Sequence, residues 1–307
     1  MLDRVMRSTY ELNGRPITVR QRAIVDDLCS WRRVGVRGRW ARYVPLLPDS
    51  RAVNVLELFR LNGRIAVVTG GGTGIGRGIA LGLAAAGADV ALAGRRPEPL
   101  EAVCVEIEAM GRRAVAVSTD VTSATELERL GQRVTDELGS ISIWVNNAGG
   151  LQGEPMGNLS SVTEESWHTI MDRNLTSVWL ASVEAQRVLL DGGSIINVSS
   201  TGGLTKGAPG HGVYSAAKTA VNHLTQTLAL ECAPRRIRVN AIAPGHTPTA
   251  DYYRASGFDD AKFAKLASKQ PLGRLGRDED FAAAAVYLAS EAASWVTGQV
   301  LVVSGTP

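Results

Sequence analysis

Tyr214 and Lys218, in the run Tyr-Ser-Ala-Ala-Lys, are the residues of this chain best suited to chemistry. On a helix that spacing sets both on one face, one turn apart. A free phenol has a pKa near ~10, too high for a base at neutral pH. A fixed ammonium beside it, together with the positive charge of an oxidised redox cofactor, favours the phenolate and is expected to bring that value down. Such a pair can trade a proton with a substrate. Taken alone, the same spacing also describes a helix face with a lysine stretched along it. A second motif upstream gives the pair its weight: Thr69-Gly70-Gly71-Gly72-Thr73-Gly74-Ile75-Gly76. Glycines let the backbone approach a pyrophosphate, and a following helix start offers free N–H groups. Gly70, Thr73, Gly74, Ile75 and Gly76 are therefore candidate cofactor contacts. A dinucleotide carries a hydride and a tyrosine carries a proton, so together they suit a redox reaction on one substrate.

The choice of dinucleotide is read at the end of the next strand. A free ribose 2′-hydroxyl usually meets an Asp or Glu there. Here the chain reads Ala93-Gly94-Arg95-Arg96, with no carboxylate. Arg95 and Arg96 can hold a 2′-phosphate, which favours NADP over NAD. A solvated turn in an Arg-rich protein is the competing explanation, and Arg77 is as well suited to the surface as to assisting. Asp120-Val121 could meet the adenine, but Asp120 could equally cap the helix starting near Ser123. In Asn146-Asn147-Ala148-Gly149 the asparagines can bond backbone and hold two strands in place. Asn147, Ala148 and Gly149 are also candidates for the cofactor wall. His211 can touch substrate. His246 invites a catalytic role that the tyrosine already fills.

The elements that must position these residues follow from hydrophobic runs. Short apolar strands are expected at 64–69, 89–94, 113–118, 141–146, 194–199, 236–242 and 299–303. Helices are expected between them, including a long one over 164–190 and one from Tyr214 to about 233. Strands alternating with helices imply an α/β fold: a doubly wound, Rossmann-type, seven-stranded parallel sheet with helices on both faces. Residues 250–268, with Tyr252, Tyr253, Phe258 and Phe263, are expected to form an apolar lid over substrate.

Composition bounds the rest. Residues 1–60 hold twelve Arg, no Lys and six acids, while the whole chain carries only +3. The sequence divides into an Arg-rich extension, 1–57, expected to be irregular, and a catalytic region, 58–307. Trp and Arg at 31–33 and 37–40 would suit a basic arm for nucleic acid, but no binding module accompanies them, so nucleic acid is not the expected partner. Cys29, Cys104 and Cys232 are scattered, which argues against a disulfide framework or zinc site and for reduced thiols in a cytoplasmic protein. No His/Asp/Glu cluster has metal-ligand spacing. No apolar run reaches the ~20 residues that span a bilayer.

With the glycine motif at 69–76, Asn-Asn-Ala-Gly at 146–149, Tyr-x-x-x-Lys at 214–218 and Pro244-Gly245 in that order, the chain resembles the short-chain dehydrogenase/reductase family over about 58–307. Its segment 292–299, Ala-Ala-Ser-Trp-Val-Thr-Gly-Gln, is similar to the bacterial 7α-hydroxysteroid dehydrogenase branch. The resemblance implies a catalytic set in which Tyr214 is the general acid/base and Lys218 its partner, also holding ribose hydroxyls. Ser200 would orient the substrate, and Asn174 would hold a relay water. It further implies cofactor contacts at Pro244, Gly245, Thr247 and Thr249, and a homotetramer. Ser200 stands fourteen residues before Tyr214, one more than the family usually has, which implies an extra loop residue within 202–212. The expected activity is NADP-dependent interconversion of a ketone and a secondary alcohol, on a 3-oxoacyl, hydroxysteroid or cyclic alcohol substrate. A catalytically silent dinucleotide-binding regulatory protein is the alternative.

Overall fold

A computed structural model describes the backbone of 7–12 and 15–20, and residues 54–151, 157–204, 210–249, 257 and 259–306. The chain divides into two compact units, Met1–Val53 and Asn54–Pro307. In the first, Arg7–Leu12 (β1) and Arg15–Arg20 (β2) pair antiparallel, from Arg7 opposite Arg20 to Leu12 opposite Arg15. This stretch was expected to be irregular. The intervening Asn13-Gly14 is the dipeptide that two-residue hairpin loops favour, a signal the hydrophobic pattern does not carry. The Trp/Arg stretches at 31–33 and 37–40 lie outside the described residues.

The second unit holds a seven-stranded parallel sheet. Its strands are Ile65–Thr69 (β3), Asp89–Gly94 (β4), Ala114–Ser118 (β5), Ile143–Asn146 (β6), Ser194–Val198 (β7), Arg238–Pro244 (β8) and Val300–Val303 (β9). Their spatial order is β5-β4-β3-β6-β7-β8-β9. Every residue of β3, β6 and β7 is buried, as a strand covered on both faces requires. Helices Gly74–Ala85 (α1), Pro97–Ala109 (α2) and Glu279–Ala289 (α8) cover one face through Leu83, Val103, Phe281 and Leu288. Helices Ala124–Glu137 (α3), Ser177–Val188 (α5) and Gly212–Cys232 (α6) cover the other through Leu130, Ala185 and Leu228. The strand order reverses between β3 and β6, and a crevice opens outside the carboxyl ends of the strands at such a point.

Three departures from the sequence expectation have local causes. The compact unit takes in Val55–Phe59, a 3-10 turn assigned by composition to the extension, because Phe59 stacks near Tyr287 with ring centroids 6.2 Å apart. The long helix over 164–190 is three pieces: Glu164–Met171 (α4), a π-helical turn Asp172–Thr176, and α5. Of the lid, Asp260–Ser268 (α7) is a helix that buries Phe263 in the protein, while Tyr252, Tyr253 and Phe258 lie outside the described residues.

A buried polar chain fixes the end of β6. The Trp144 indole N–H donates to Asn146 Oδ1 at 2.9 Å. Asn146 Nδ2 donates to Ser182 Oγ and to Asn197 Oδ1, each at 2.9 Å, and Asn197 Nδ2 donates to Thr225 Oγ1 at 2.9 Å. This ties two strands to α5 and α6 through hydrogen-bonded side chains. Asn146→Ala orphans three partners at about 1–3 kcal/mol each, so a loss of about 3 kcal/mol or more is expected in urea unfolding at fixed protein concentration. A change under about 1 kcal/mol would show that the chain is not a structural tie.

Candidate active site

A cleft of about 1370 Å³ runs along the carboxyl ends of the strands. It is lined by every residue expected to meet the cofactor, from Gly70 just after β3 to Thr249 beyond β8, and by Ser200, Tyr214 and Lys218. The topology explains the gathering, because parallel strands deliver all their carboxyl ends to one edge.

At the switch point, Thr69 Oγ1 donates to the Val145 carbonyl at 3.2 Å and accepts the N–H groups of Asn147 and Ala148 at 3.0 and 3.1 Å. Asn147 Nδ2 donates to the carbonyls of Thr69 and Gly70 at 3.0 and 3.2 Å. Asn147 therefore braces the glycine loop. Gly70 has φ +66°, and a Cβ on Gly76 would stand 2.2 Å from Gly70 O and 2.4 Å from Asn147 Nδ2. Only the absence of side chains lets the loop pass this closely over the start of α1. Thr73, the N-cap of α1, makes no side-chain cap bond, so the first-turn amides face the cleft for an anion. These features fit a dinucleotide pyrophosphate.

At the adenosine end, Arg95 and Arg96 are exposed and line the cleft at the start of α2, beside Asp120 and Val121. Asp120 is not the cap of α3. Ser123 Oγ accepts the Glu126 N–H, and Glu126 Oε2 accepts the Asp120 N–H at 2.6 Å. The Asp120 carboxylate instead accepts the amide and hydroxyl of Thr122, at 2.9 and 2.7 Å. Those two bonds hold its pKa below the usual carboxylate range, with Arg95 and Arg173 adding to the effect against the cost of burial.

At the other end, Ser199 Oγ donates to the Lys218 carbonyl at 3.2 Å, which ties β7 to α6. Ser200 Oγ accepts the Gly202 N–H at 3.0 Å, leaving its proton for another oxygen. Lys218 is buried, and its Nζ donates to the Val198 carbonyl at 2.9 Å. That nitrogen lies 5.7 Å from the centre of the Tyr214 ring. The two side chains share a helix face as their spacing requires. The electrostatic expectation counts the charge of an oxidised cofactor with the ammonium; the chain's own groups alone act in the other direction. Burial raises the Tyr214 pKa above its ordinary value, and the Ser200 hydrogen bond only partly offsets this. Burial also lowers the Lys218 ammonium to about 8. The ammonium bonds a carbonyl and does not bond the phenol, so desolvation outweighs its attraction.

Asn174 stands apart from the cleft wall. It is fully buried in the π-helical turn; its Nδ2 donates to Gly150 O at 3.0 Å and Ile170 O at 2.9 Å, and its Oδ1 accepts the Gly150 N–H at 2.8 Å. It clamps the strand-end loop that carries Gly149. Its neighbours Asp172 and Arg173 do line the cleft, as do Leu204, Ser304 and Thr306. The first two flank the quoted asparagine and could have been noted from it. The others carry no motif. Among the described residues there is no cluster of three metal-ligating side chains and no helix long and apolar enough to cross a membrane.

Residues 70–305 match the family model described as enoyl-(acyl carrier protein) reductase. A solved short-chain type dehydrogenase/reductase from Mycobacterium marinum is 38% identical with a TM-score of 0.76, covering 82% of this chain and 98% of its own. A solved 7α-hydroxysteroid dehydrogenase, complexed with NADH and 7-oxo glycochenodeoxycholic acid, is 33% identical with a TM-score of 0.74, covering 81% and 96%. Cis-4-hydroxycyclohexanecarboxylate dehydrogenase of Sinomonas cyclohexanicum is 40% identical over 244 residues, 79% of this chain and 95% of its own. The chain belongs to the short-chain dehydrogenase/reductase family. It is of the class of oxidoreductases that act on CH–OH or C=O groups with an NAD(P) dinucleotide.

The glycine cradle is directly testable. Gly76→Ala drives a methyl into backbone, so NADPH affinity is expected to fall at least about tenfold by fluorescence titration, while far-UV circular dichroism is retained. Unchanged affinity would remove the pyrophosphate from this loop.

Proposed function

We propose that this protein is an NADPH-preferring ketoreductase that interconverts a ring-borne ketone and its secondary alcohol, with Tyr214 as general acid and base. The observation that carries the reading is the convergence of Ser200, Tyr214 and Lys218 on one end of the cleft that begins at the glycine loop. The bound nicotinamide supplies or takes up the hydride. Ser200 donates its hydroxyl proton in a hydrogen bond to the carbonyl oxygen, where negative charge develops. Tyr214 gives its phenolic proton to that oxygen during reduction and takes it back during oxidation. A raised phenol pKa keeps the proton in place until the carbonyl arrives. Lys218 has one N–H on the Val198 carbonyl and two further protons to offer toward ribose hydroxyls. With a pKa of about 8 it is mostly charged at neutral pH and opposes the charge left on the phenolate. Asn174 acts behind this group, holding Gly150 and, through it, the wall beside the nicotinamide; a relay water would have to use its remaining acceptor capacity.

The cofactor preference rests on Arg95 and Arg96 and on the missing carboxylate after β4. In this reading Pro244, Gly245 and Thr247 would flank the nicotinamide and Thr249 would meet the phosphates; its methyl lies 3.2 Å from a Cβ built on Gly74. The ring preference is supported by two relatives, the cis-4-hydroxycyclohexanecarboxylate dehydrogenase and the 7α-hydroxysteroid dehydrogenase complexed with 7-oxo glycochenodeoxycholic acid. Residues 58–307 carry the activity in this reading, in a cytoplasmic homotetramer. Trp179 and Val183, one turn apart on α5 and half exposed, support self-association.

Tyr214→Phe is expected to lower ketone turnover by at least ~10²–10⁴, read from nicotinamide absorbance, with cofactor affinity nearly unchanged. Retained turnover would end the reading. Arg95→Ala is expected to weaken NADPH about tenfold or more, one charged hydrogen-bond set, and NADH less than about threefold. Equal losses would remove the 2′-phosphate from Arg95.

A further inference from the structure

Behind Ser200 lies a contact that takes no part in the hydride or proton steps. Ser200 caps the 3-10 turn Thr201–Gly203. Its Oγ accepts the Gly202 N–H and its carbonyl accepts the Gly203 N–H, each at 3.0 Å. The serine and the turn therefore move as one piece. That piece is held to the middle of α6 at the Gly203 carbonyl, which accepts Asn222 Nδ2 and Thr219 Oγ1, each at 3.1 Å. Gly203 is buried close against the helix backbone. A Cβ there would stand 2.7 Å from the Lys218 carbonyl carbon and 2.9 Å from the Thr219 nitrogen.

The two donors are not equal. A threonine hydroxyl has one proton, and Thr219 Oγ1 also reaches the Ser215 carbonyl at the shorter distance of 2.8 Å. That bond within its own helix competes for the proton. Asn222 has an amide proton to commit to Gly203. Its side chain is otherwise poorly served: the residue is 7% exposed, and its Oδ1 is buried with no hydrogen-bond partner among the described residues. Burying an acceptor in this way costs stability, and an apolar side chain at the same place would not incur that cost. The stability of the fold therefore does not account for the amide. Its bond to the turn that carries Ser200 does.

We propose that Asn222 is a positioning residue for Ser200: its amide anchors Gly203 and so holds the serine hydroxyl where the substrate oxygen must meet it. The proposal rests on the ketoreductase reading, in which that hydroxyl bonds the oxygen as negative charge develops on it. A donor fixed in place beforehand stabilises that charge without reorganising, and a displaced one stabilises it less. Asn222 stands two helical turns beyond Tyr214 and outside the lining of the cleft. It acts through the turn, so its effect falls on kcat and leaves NADPH binding alone.

The test uses the full chain, NADPH and 4-oxocyclohexanecarboxylate as the ketone. Asn222→Leu keeps the branched shape without the amide, and Asn222→Ala removes the amide without crowding. Each is expected to lower kcat about fivefold, what one neutral hydrogen bond contributes, with the KM for NADPH and the melting temperature unchanged. Adding Thr219→Val to Asn222→Leu is expected to deepen the loss. Adding Thr219→Ser, which keeps the hydroxyl, is expected to leave it as it was. A double-mutant cycle assigns the effect to the serine: in a Ser200→Ala background, Asn222→Leu is expected to change kcat less than about twofold. An equal loss in both backgrounds overturns the proposal, as does an unchanged kcat in both Asn222 variants. A loss accompanied by weaker NADPH binding and a lower melting temperature also overturns it, by making the amide a support of the whole fold. Crystal structures of the wild type and of Asn222→Leu read the geometry without turnover. The Ser200 hydroxyl is expected to leave its wild-type position, and an unmoved hydroxyl overturns the proposal. If the wild type binds NADPH but reduces no ring ketone, the ketoreductase reading fails, and the crystal structures alone decide what Asn222 holds.

Discussion

The ammonium of Lys218, taken out of water and tied to the Val198 carbonyl, is the interaction on which the site depends. A buried cation is costly unless it finds a partner, and one neutral carbonyl answers only part of the cost. The consequence is a pKa of about 8, far below that of a lysine in water. The same helix returns a bond to the same strand, since the Lys218 carbonyl accepts the Ser199 hydroxyl. β7 and α6 are thereby fastened at two points separated by less than one helical turn. Ser200 follows on the strand and Tyr214 precedes on the helix, so this fastening sets their approach.

Around this fastening the structure separates two kinds of asparagine. Asn146 and Asn197 lie wholly in a buried chain that joins strands to helices. Asn147 and Asn174 reach backward from the chain onto backbone, at the glycine loop and at Gly150 respectively. Both kinds fix main chain at the ends of strands. An amide can donate twice and accept twice, so one side chain replaces the ladder bonds that a sheet loses where its strands stop. The polar groups that shape the cleft are thus mostly structural, and the reacting groups are few.

How much of this was legible in the sequence follows from the range of the forces involved. The seven strands and the glycine loop were readable because each is signalled within a few residues: a short apolar run, or glycines where backbone must pass backbone. Tyr214 and Lys218 were readable as a pair because helical spacing is local. Their titration was not, because it turns on burial by segments far away in the chain, which raises the phenol where the sequence shows only a neighbouring ammonium. Asp172–Thr176 has an unremarkable helical composition; its wider turn arises where Asn174 reaches across to Gly150. The sequence left Asp120 open between an adenine contact and a helix cap, because Ser123 offers the cap geometry within three residues; the structure gives the cap to Ser123. Val55–Phe59 was lost to the extension because what it packs against, Tyr287 among them, stands more than two hundred residues away.

The two ends of the cleft differ in how they are held, and this bears on how specificity can change. At the reacting end, Lys218 is buried and Ser200 and Tyr214 are fixed by α6 and β7, so a substitution there disturbs the fold as well as the chemistry. At the other end, Arg95 and Arg96 are exposed on the turn between β4 and α2. In the proposed reading the preference for a 2′-phosphate is therefore carried by side chains whose replacement leaves sheet, helices and proton donor in place. Cofactor choice and catalysis are separable in this architecture because one is written on a surface turn and the other on the interface between a strand and a helix.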